Sequence, residues 1–153
     1  MIELKNEVTK ILLDYIKHLG YLYEELVINS AWLNHSQEKS NLPFHSHSNS
    51  FISANYFVNF IPGKHSELAF RNDRAIEVTP SNFPTFSIPE TKKKSMYNAN
   101  YLGLKVNEGD ILIWRSHQQH GYSIRNKAND RLTLSLNAMP KILDNGKYSF
   151  RIN

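Results

Sequence analysis

The chain contains no cysteine among its 153 residues. Disulfide bonds, thiolate metal sites and cysteine nucleophiles are therefore excluded, and any metal ion must be held by imidazole, carboxylate or water. These donors favour iron, zinc, manganese or copper over an iron–sulfur centre. Long apolar runs are also lacking, since none approaches the roughly 20 residues of a membrane span, and the N-terminus has no signal-peptide pattern. We therefore expect a cytoplasmic protein with no membrane partner.

A strong charge of one sign is missing as well, because 18 basic and 14 acidic residues leave a net charge of +4. The dense basic run at residues 92–94 lies among Thr, Ser, Pro and Asn, and a solvated loop explains it. Nucleic-acid binding would need aromatic residues interleaved with basic ones or a basic helix face, and neither is present. We expect no nucleic-acid partner. The length predicts one domain spanning residues 1–153.

Apolar spacing predicts one helix followed by strands. Residues 3–19 follow the spacing of a single buried helical stripe, made of Val8, Ile11, Leu12, Tyr15, Ile16 and Leu19. Strands are predicted over residues 31–34, 51–61, 68–70, 101–106, 111–114 and 131–138. Residues 77–100 form a long connection of the kind that shapes the entrance to a binding site.

The last of these strands alternates without a break. One face is apolar and consists of Leu132, Leu134, Leu136 and Ala138, and the other is polar and consists of Arg131, Thr133, Ser135 and Asn137. The apolar face suits a core packed against the helix. The polar face either meets solvent or lines a cavity, and a histidine cluster that needs a pocket favours the cavity.

Two imidazoles stand one residue apart, at His45 and His47. In extended chain such residues project to the same face and can share one metal ion, although histidines flanking a strand are the plainer alternative. A third ligand is predicted at His120, with His117 of the same turn as the alternative. Arg131 follows, and its planar fork suits a carboxylate. A metal beside a carboxylate-binding arginine is the minimum for an enzyme that uses a 2-oxo acid.

The ordered set of motifs resembles the small Fe(II)/2-oxoglutarate-dependent oxygenases of bacteria and phages. The resemblance covers about residues 31–138 and is carried by Trp32, Asn34, His45, His47, Asn49, Ser50, Ser53, Tyr56, Phe57, Glu108-Gly109-Asp110, Ile111 to Trp114, Ser116, His120, Asn126, Arg131, Thr133, Ser135 and Asn137. The sequence departs from the family pattern in two places, and from most of the wider superfamily in a third. Ala54 replaces a glycine, Trp114 to His117 replace a Phe-Pro-Ser-Trp-like run, and His47 stands where the wider superfamily has a carboxylate.

The resemblance implies a mainly β fold, a double-stranded β-helix (jelly-roll, cupin-like) with the N-terminal helix packed on one sheet. It implies Fe(II), 2-oxoglutarate as cosubstrate and O2, and hydroxylation of a small-molecule or peptide substrate as 2-oxoglutarate is decarboxylated to succinate. The implied metal ligands are His45, His47 and His120. The implied cosubstrate-binding residues are Arg131, which would bind the distal carboxylate, with Thr133 or Tyr56 assisting, and Asn34 and Asn137.

Several alternatives stay open at this point. Water could take the third metal position with His47 behind it, or an acid such as Asp73 or Glu67 could supply the ligand. His35 and His65 are interpreted as surface residues. The chain could instead be a three-histidine cupin-type metalloenzyme that needs no 2-oxo acid, or a non-catalytic jelly-roll binding module. The resemblance places the protein in a bacterial cytoplasm, or in the host cytoplasm if a phage encodes it.

Overall fold

A computed structural model describes residues 2–71, 99, 101–122, 124–144, 147 and 149–152. These residues form one helix and nine strands, namely α1 (Ile2–His18), β1 (Leu26–Ser36), β2 (Ile52–Asn59), β3 (Leu68–Arg71), β4 (Tyr101–Gly103), β5 (Ile111–Arg115), β6 (His120–Tyr122), β7 (Arg131–Pro140), β8 (Ile142–Asp144) and β9 (Ser149–Arg151). The predicted mainly β fold with one N-terminal helix is confirmed. The antiparallel pairing is consistent with a jelly-roll-like fold.

Strands β1 to β7 form two sheets. The larger has the strand order β1-β7-β2-β5 and the smaller the order β4-β3-β6, while β8 and β9 pair with each other. The alternating strand β7 lies inside the larger sheet, between β1 and β2. A strand in this position has neighbours on both edges, so its two sets of side chains are fixed on opposite faces of the sheet.

Helix α1 covers the apolar face of the larger sheet. The buried contact joins the helix to β2 and β7 and consists of Val8, Leu12, Ile16, Ile52, Ala54, Leu136 and Ala138. The predicted helical stripe is therefore confirmed, except that Ile11 is 41% exposed at its margin. Just beyond the helix, Gly20 adopts a φ of +87°, a conformation that ends helices and suits glycine.

The polar face of β7 is buried on the opposite side of the same sheet. Arg131 and Thr133 are 0% exposed, and Ser135 and Asn137 are nearly so. A second buried cluster joins this side of the larger sheet to the smaller one and consists of Phe57, Phe60, Leu68, Val106, Trp114 and Tyr122. The polar residues of β7 thus face the interior between the two sheets, as the cavity interpretation predicted.

Some elements differ from the sequence prediction. Strand β1 is much longer than residues 31–34, because it pairs with β7 along its whole length through a bulge between Ile28 and Ser30. The three-residue strands β6, β8 and β9 were not predicted, and the strand expected over 101–106 ends at Gly103. Nearly all of the predicted 77–100 connection, including residues 92–94, lies outside the described residues. Helix α1, the one described helix, is too short and too polar to cross a membrane.

Candidate metal centre

Three imidazoles converge at the edge of the interior cavity. His45 and His47 lie on the segment between β1 and β2, and His120 is the first residue of β6. One ring nitrogen from each residue lies within 4.8 Å of the other two. The ring centroids are 4.4 Å apart for His45 and His120, and 5.2 Å apart for each pair that includes His47. Three nitrogen donors at this spacing can bind one metal ion from one side.

Backbone hydrogen bonds hold these residues together. The N–H of His45 donates to the carbonyl of His120 at 3.0 Å, and the N–H of His120 donates back to the carbonyl of His45 at 2.9 Å. The N–H of His47 donates to the carbonyl of Ser116 at 2.9 Å. The His45–His47 segment is therefore attached to the chain that leads into β6, and the imidazoles meet because their backbones are paired.

Gly121 makes this close approach possible. A Cβ at this position would lie 2.7 Å from the carbonyl oxygen of Leu42 and 3.0 Å from backbone atoms of Pro43 and Phe44. These are backbone atoms, which cannot move aside as a flexible side chain could. Sequence reasoning did not identify Gly121 as a site residue, although a glycine directly after a candidate ligand was the available signal.

Hydrogen bonds from the ring nitrogens orient two of the imidazoles. Nδ1 of His45 lies 2.9 Å from the carbonyl oxygen of Pro43, and Nδ1 of His120 lies 3.0 Å from that of Gln118. A carbonyl only accepts, so each Nδ1 carries the proton and donates. Nε2 of both rings is then left with a free lone pair, and a backbone partner on the other nitrogen is the usual support for a histidine that binds metal.

The surroundings of the site keep two of the rings neutral. Burial lowers the pKa of His120 to about 4, with the carbonyl of Gln118 opposing this effect and the neighbouring His45 and His47 adding to it. Burial also lowers the pKa of His47, and the nearby His45 contributes in the same direction. A neutral imidazole is the form that binds a metal, so the lowered pKa values of these two rings favour the charge state that metal binding needs.

The three imidazoles border a cavity of about 100 Å³ between the sheets. Its walls include Trp32 and Asn34 from β1, Asn55 from β2 and Trp114 from β5. Asn34 donates to the hydroxyl of Ser135 at 2.6 Å, and that hydroxyl donates to Asn55 at 2.7 Å. Trp114 lies 4.7 Å from His120, centroid to centroid, and its buried indole N–H has no hydrogen-bond partner among the described residues.

Arg131 is completely buried, and it pairs with no carboxylate in the part of the chain that the structure describes. Its Nε donates to the carbonyl of Ser66 at 3.0 Å, and its Nη1 donates to the hydroxyl of Tyr122 at 2.6 Å. The guanidinium carbon lies 4.6 to 5.7 Å from the ring centroids of Tyr122, Phe57 and Phe60. No ion pair links it to a described acidic residue. Nη2 of Arg131 has no hydrogen-bond partner among the described residues, and burial lowers the pKa of the guanidinium.

Thr133 repeats this pattern on the same face of β7. Its side chain is 0% exposed, and its hydroxyl has no partner among the described residues. Buried polar atoms are nearly always hydrogen-bonded, since leaving one unpaired costs about 1–3 kcal/mol. Arg131 and Thr133 therefore present two unpaired donors on neighbouring inward positions of one strand, behind the residues that line the cavity.

Tyr56 is a predicted site residue that the fold turns away from the cavity, and the residues that line the cavity include neither Arg131 nor Thr133. On β2 it is paired with Ile111 and Leu134, which belong to the cluster under α1. Paired residues of antiparallel strands share a face, so Tyr56 lies on the helix side. The alternation that places Ser53 and Asn55 at the cavity turns Tyr56 away from it. Asn34 and Asn137 do line the cavity.

The remaining predicted histidines and acids lie away from the triad. His117 is exposed, whereas His120 is 3% exposed, which agrees with the choice of His120 as the candidate. His35 is exposed as predicted, but the prediction for His65 is wrong. His65 is 2% exposed because both ring nitrogens bond to the backbone of Ile61 and Asn129. Glu67 is not part of the ligand group, and Asp73 lies outside the described residues.

The fold and the site together define a mainly β, jelly-roll-like protein with a candidate three-histidine metal centre. The sequence model of the family described as "Putative 2OG-Fe(II) oxygenase" matches residues 30–137, which is more than half of the chain. The chain therefore belongs to this family, and the predicted resemblance is confirmed. The matched segment includes all three candidate ligands and Arg131. No curated protein matches the chain.

Proposed function

We propose that the protein is an Fe(II)- and 2-oxoglutarate-dependent dioxygenase that hydroxylates a small-molecule or peptide substrate and converts 2-oxoglutarate to succinate. His45, His47 and His120 would hold the iron. Arg131 and Thr133 would bind the distal carboxylate of 2-oxoglutarate, and Asn34 and Asn137 would make polar contacts beside the centre.

The donor set suits this metal. Imidazole nitrogen is an accepted ligand of Fe(II), and three donors on one side leave the opposite positions open for other ligands. Nε2 of His45 and of His120 is free because Nδ1 is occupied by a backbone carbonyl. An all-imidazole set adds no negative charge, so an anionic cosubstrate that binds the ion would supply the charge that a carboxylate ligand supplies elsewhere.

The observation that carries the proposal is the buried guanidinium of Arg131, which has no carboxylate partner among the described residues. Burying a charge without a counter-charge costs several kcal/mol, and proteins retain such a charge where something pairs with it. A carboxylate would supply the counter-charge and accept from the unpaired Nη2, and its second oxygen would be available to the unpaired hydroxyl of Thr133. Arginine binds carboxylates with this forked geometry.

The position of Arg131 relative to the triad also supports a dicarboxylate. Its Nη1 is 2.6 Å from the hydroxyl of Tyr122, which lies two residues after His120 on the same buried side of β6. Two residues of a strand span about 6.6 Å. A five-carbon diacid such as 2-oxoglutarate is of comparable length. One molecule could therefore have one end at the histidines and the other at Arg131.

The bound groups and the protein would have separate parts in the reaction. When bound, Fe(II) and 2-oxoglutarate supply the activation of O2 that couples decarboxylation to hydroxylation. The chain binds and orients them. Arg131 and Thr133 fix the distal carboxylate, while the buried Trp114 and the half-buried Trp32 limit the access of bulk water to the centre. No protein residue beyond the metal ligands is proposed as catalytic.

An anaerobic titration tests the proposal. The wild-type protein is loaded with Fe(II) without oxygen and titrated with 2-oxoglutarate, and we expect a weak visible charge-transfer band that saturates with one equivalent of each. Succinate release on admission of O2, even slowly without the second substrate, is the expected second readout. Arg125→Lys is a suitable control variant, because Arg125 is an exposed arginine and the band should be unchanged.

Two results would contradict the proposal in different ways. Tight iron binding without any band or any 2-oxoglutarate binding would favour a three-histidine cupin-type metalloenzyme that uses no 2-oxo acid. Failure of the wild-type protein to bind Fe(II) at all would favour a non-catalytic binding module.

A further inference from the structure

We propose that Asn137 is a positioning residue that sets the tautomer of His47. When a metal ion binds, the side-chain amide of Asn137 turns over, and the direction of a buried chain of hydroxyl hydrogen bonds reverses with it. The inference rests on the proposed metal centre. It concerns the one candidate ligand whose orientation does not depend on a backbone carbonyl.

The support for His47 differs from that of the other two rings. Its Nδ1 lies 3.3 Å from the amide nitrogen of Asn137. Asn137 is 2% exposed, and its carbonyl oxygen accepts from the hydroxyl of Ser53 at 2.8 Å. A backbone carbonyl can only accept, but a side-chain amide can present either its NH2 group or its oxygen. His47 is therefore held by a group that permits either ring tautomer.

The hydrogen bonds continue beyond Asn137 through serine hydroxyls. The hydroxyl of Ser53 lies 2.9 Å from that of Ser116, and Ser50 donates to Ser116 at 2.9 Å. Ser53 and Ser116 are buried. Each hydroxyl has one proton to donate and can accept at the same time, so the chain has a direction. From Ser50 it runs through Ser116 and Ser53 to the carbonyl of Asn137.

When the hydrogen bonds run in this direction, His47 is unsuited to bind a metal ion. The amide NH2 of Asn137 donates to Nδ1, so Nδ1 must accept, and the single proton of the neutral ring is on Nε2. Nε2 is the nitrogen that Asn137 leaves free for a metal. A protonated nitrogen has no lone pair to offer, so this arrangement belongs to the ion-free protein.

Reversing the chain gives the arrangement that a metal requires. If the Asn137 amide turns over, its oxygen accepts from Nδ1–H of His47 and its NH2 donates to Ser53. Ser53 then donates to Ser116, and Ser116 donates to Ser50. Every partnership is kept, and Ser50 is half-buried, so its proton can turn to solvent. The ring is neutral in both states, so binding moves its proton between the ring nitrogens without a net release.

Nitrogen NMR of histidine-labelled protein tests this directly, with Zn(II) as a diamagnetic probe. In the ion-free wild type we expect the His47 proton on Nε2. In the Zn(II) protein we expect metal on Nε2 and the proton on Nδ1. Asn137→Asp offers only acceptor oxygens, so this variant should already show the Nδ1–H tautomer without zinc. His47→Gln assigns the resonances.

Zn(II) affinity gives the second readout. Asn137→Leu keeps the volume but cannot accept from Nδ1–H, and we expect its Zn(II) affinity to fall about tenfold, the lower end for loss of such a supporting group. The matched control is Asn6→Leu, at an exposed asparagine of helix α1, and its Zn(II) affinity should be unchanged.

The outcomes separate this inference from the proposed function. If Zn(II) shifts His45 and His120 while His47 keeps its proton on Nε2, the metal centre stands and the inference is overturned. An ion-free Asn137→Asp protein with the proton still on Nε2 also overturns it, whether or not Asn137→Leu folds. If no histidine responds to Zn(II), the metal centre and the inference both fail.

Discussion

The backbones of His45 and His120 exchange two hydrogen bonds, of 3.0 and 2.9 Å, as an isolated bridge that joins the histidine segment to β6. In antiparallel chains such a doubly bonded pair places the two Cα atoms about 5.5 Å apart. The candidate metal centre is therefore continuous with the hydrogen-bonding of the smaller sheet. A change that separates these two backbones should remove metal binding without opening the core under α1.

Gly121→Ala is the first such change. The new Cβ would lie 2.7 Å from the carbonyl oxygen of Leu42, a distance that real Cβ contacts do not reach, so residues 42–44 must move away from β6. We expect Co(II) or Zn(II) affinity to fall at least tenfold, because the His45–His120 bridge cannot form in its present register. Isothermal titration calorimetry measures the effect.

Gly103→Ala is the matched control. It adds the same methyl group in the same small sheet, but the nearest atom is a carboxylate oxygen of the flexible Glu67 side chain at 3.2 Å. That side chain can turn away, so metal affinity should stay within about twofold of the wild type. Equal losses in the two variants would show that the sheet as a whole, and not the approach at Gly121, determines metal binding.

Arg131→Lys separates cosubstrate binding from metal binding. Lysine keeps the positive charge but lacks the planar fork, and it cannot replace the bonds to Ser66 and Tyr122 while also reaching a ligand. We expect 2-oxoglutarate affinity to fall at least tenfold and Zn(II) affinity to change little. Anaerobic equilibrium dialysis with labelled 2-oxoglutarate measures the first, and calorimetry the second. Unchanged 2-oxoglutarate binding would remove Arg131 from the proposed site.

Thr133→Val should have opposite effects on stability and on ligand binding. Valine has nearly the same shape, and the buried hydroxyl it replaces has no hydrogen-bond partner within the described ranges, so the ligand-free protein should become slightly more stable or stay unchanged. Affinity for 2-oxoglutarate should fall about tenfold, as expected for losing a hydrogen bond to a charged group. Denaturant titration and dialysis give the two values. Thr133→Ser, which keeps the hydroxyl, should retain the affinity.

Much of the fold and site could be predicted because the relevant patterns are local. The alternation from Arg131 to Ala138 predicted a strand with one polar and one apolar face, and β7 has that form. The helical stripe at residues 3–19 needed no knowledge of its partner. The spacing of His45 and His47 predicted two of the imidazoles that meet, and the order of the family motifs favoured His120 over His117 as the third.

The features that could not be predicted depend on distant parts of the chain. The role of Gly121 comes from the backbone of residues 42–44, which its own neighbourhood does not specify. Tyr56 was assigned to the site by the family resemblance, whereas the alternation of β2 puts it on the face opposite Ser53 and Asn55, under the helix. His65 is buried through backbone contacts to Ile61 and Asn129, and Asn129 is distant in sequence.

The last prediction concerns pH and the ion-free protein. Burial lowers the pKa of His120 to about 4, against 6.5 for the ordinary group, and lowers that of His47 as well. At a pH between about 4 and 6.5, His120 binds a proton in the unfolded chain but not in the folded protein, so stability falls as the pH falls. We expect the free energy of unfolding to drop by about 1–2 kcal/mol from His120 alone between about pH 6.5 and pH 5. Urea titrations of metal-free protein across this range measure it.

His120→Gln provides the control for this pH dependence. Glutamine is polar and does not titrate, so the variant should lose most of the slope in this range even if its stability at neutral pH differs from that of the wild type. The pKa values of the Asp130 and Glu25 carboxyl groups are lowered from the ordinary values of 3.8 and 4.5. These groups therefore affect stability only below this pH range. An unchanged slope in His120→Gln would mean that another group, and not the buried imidazole of the metal centre, makes folding sensitive to acid.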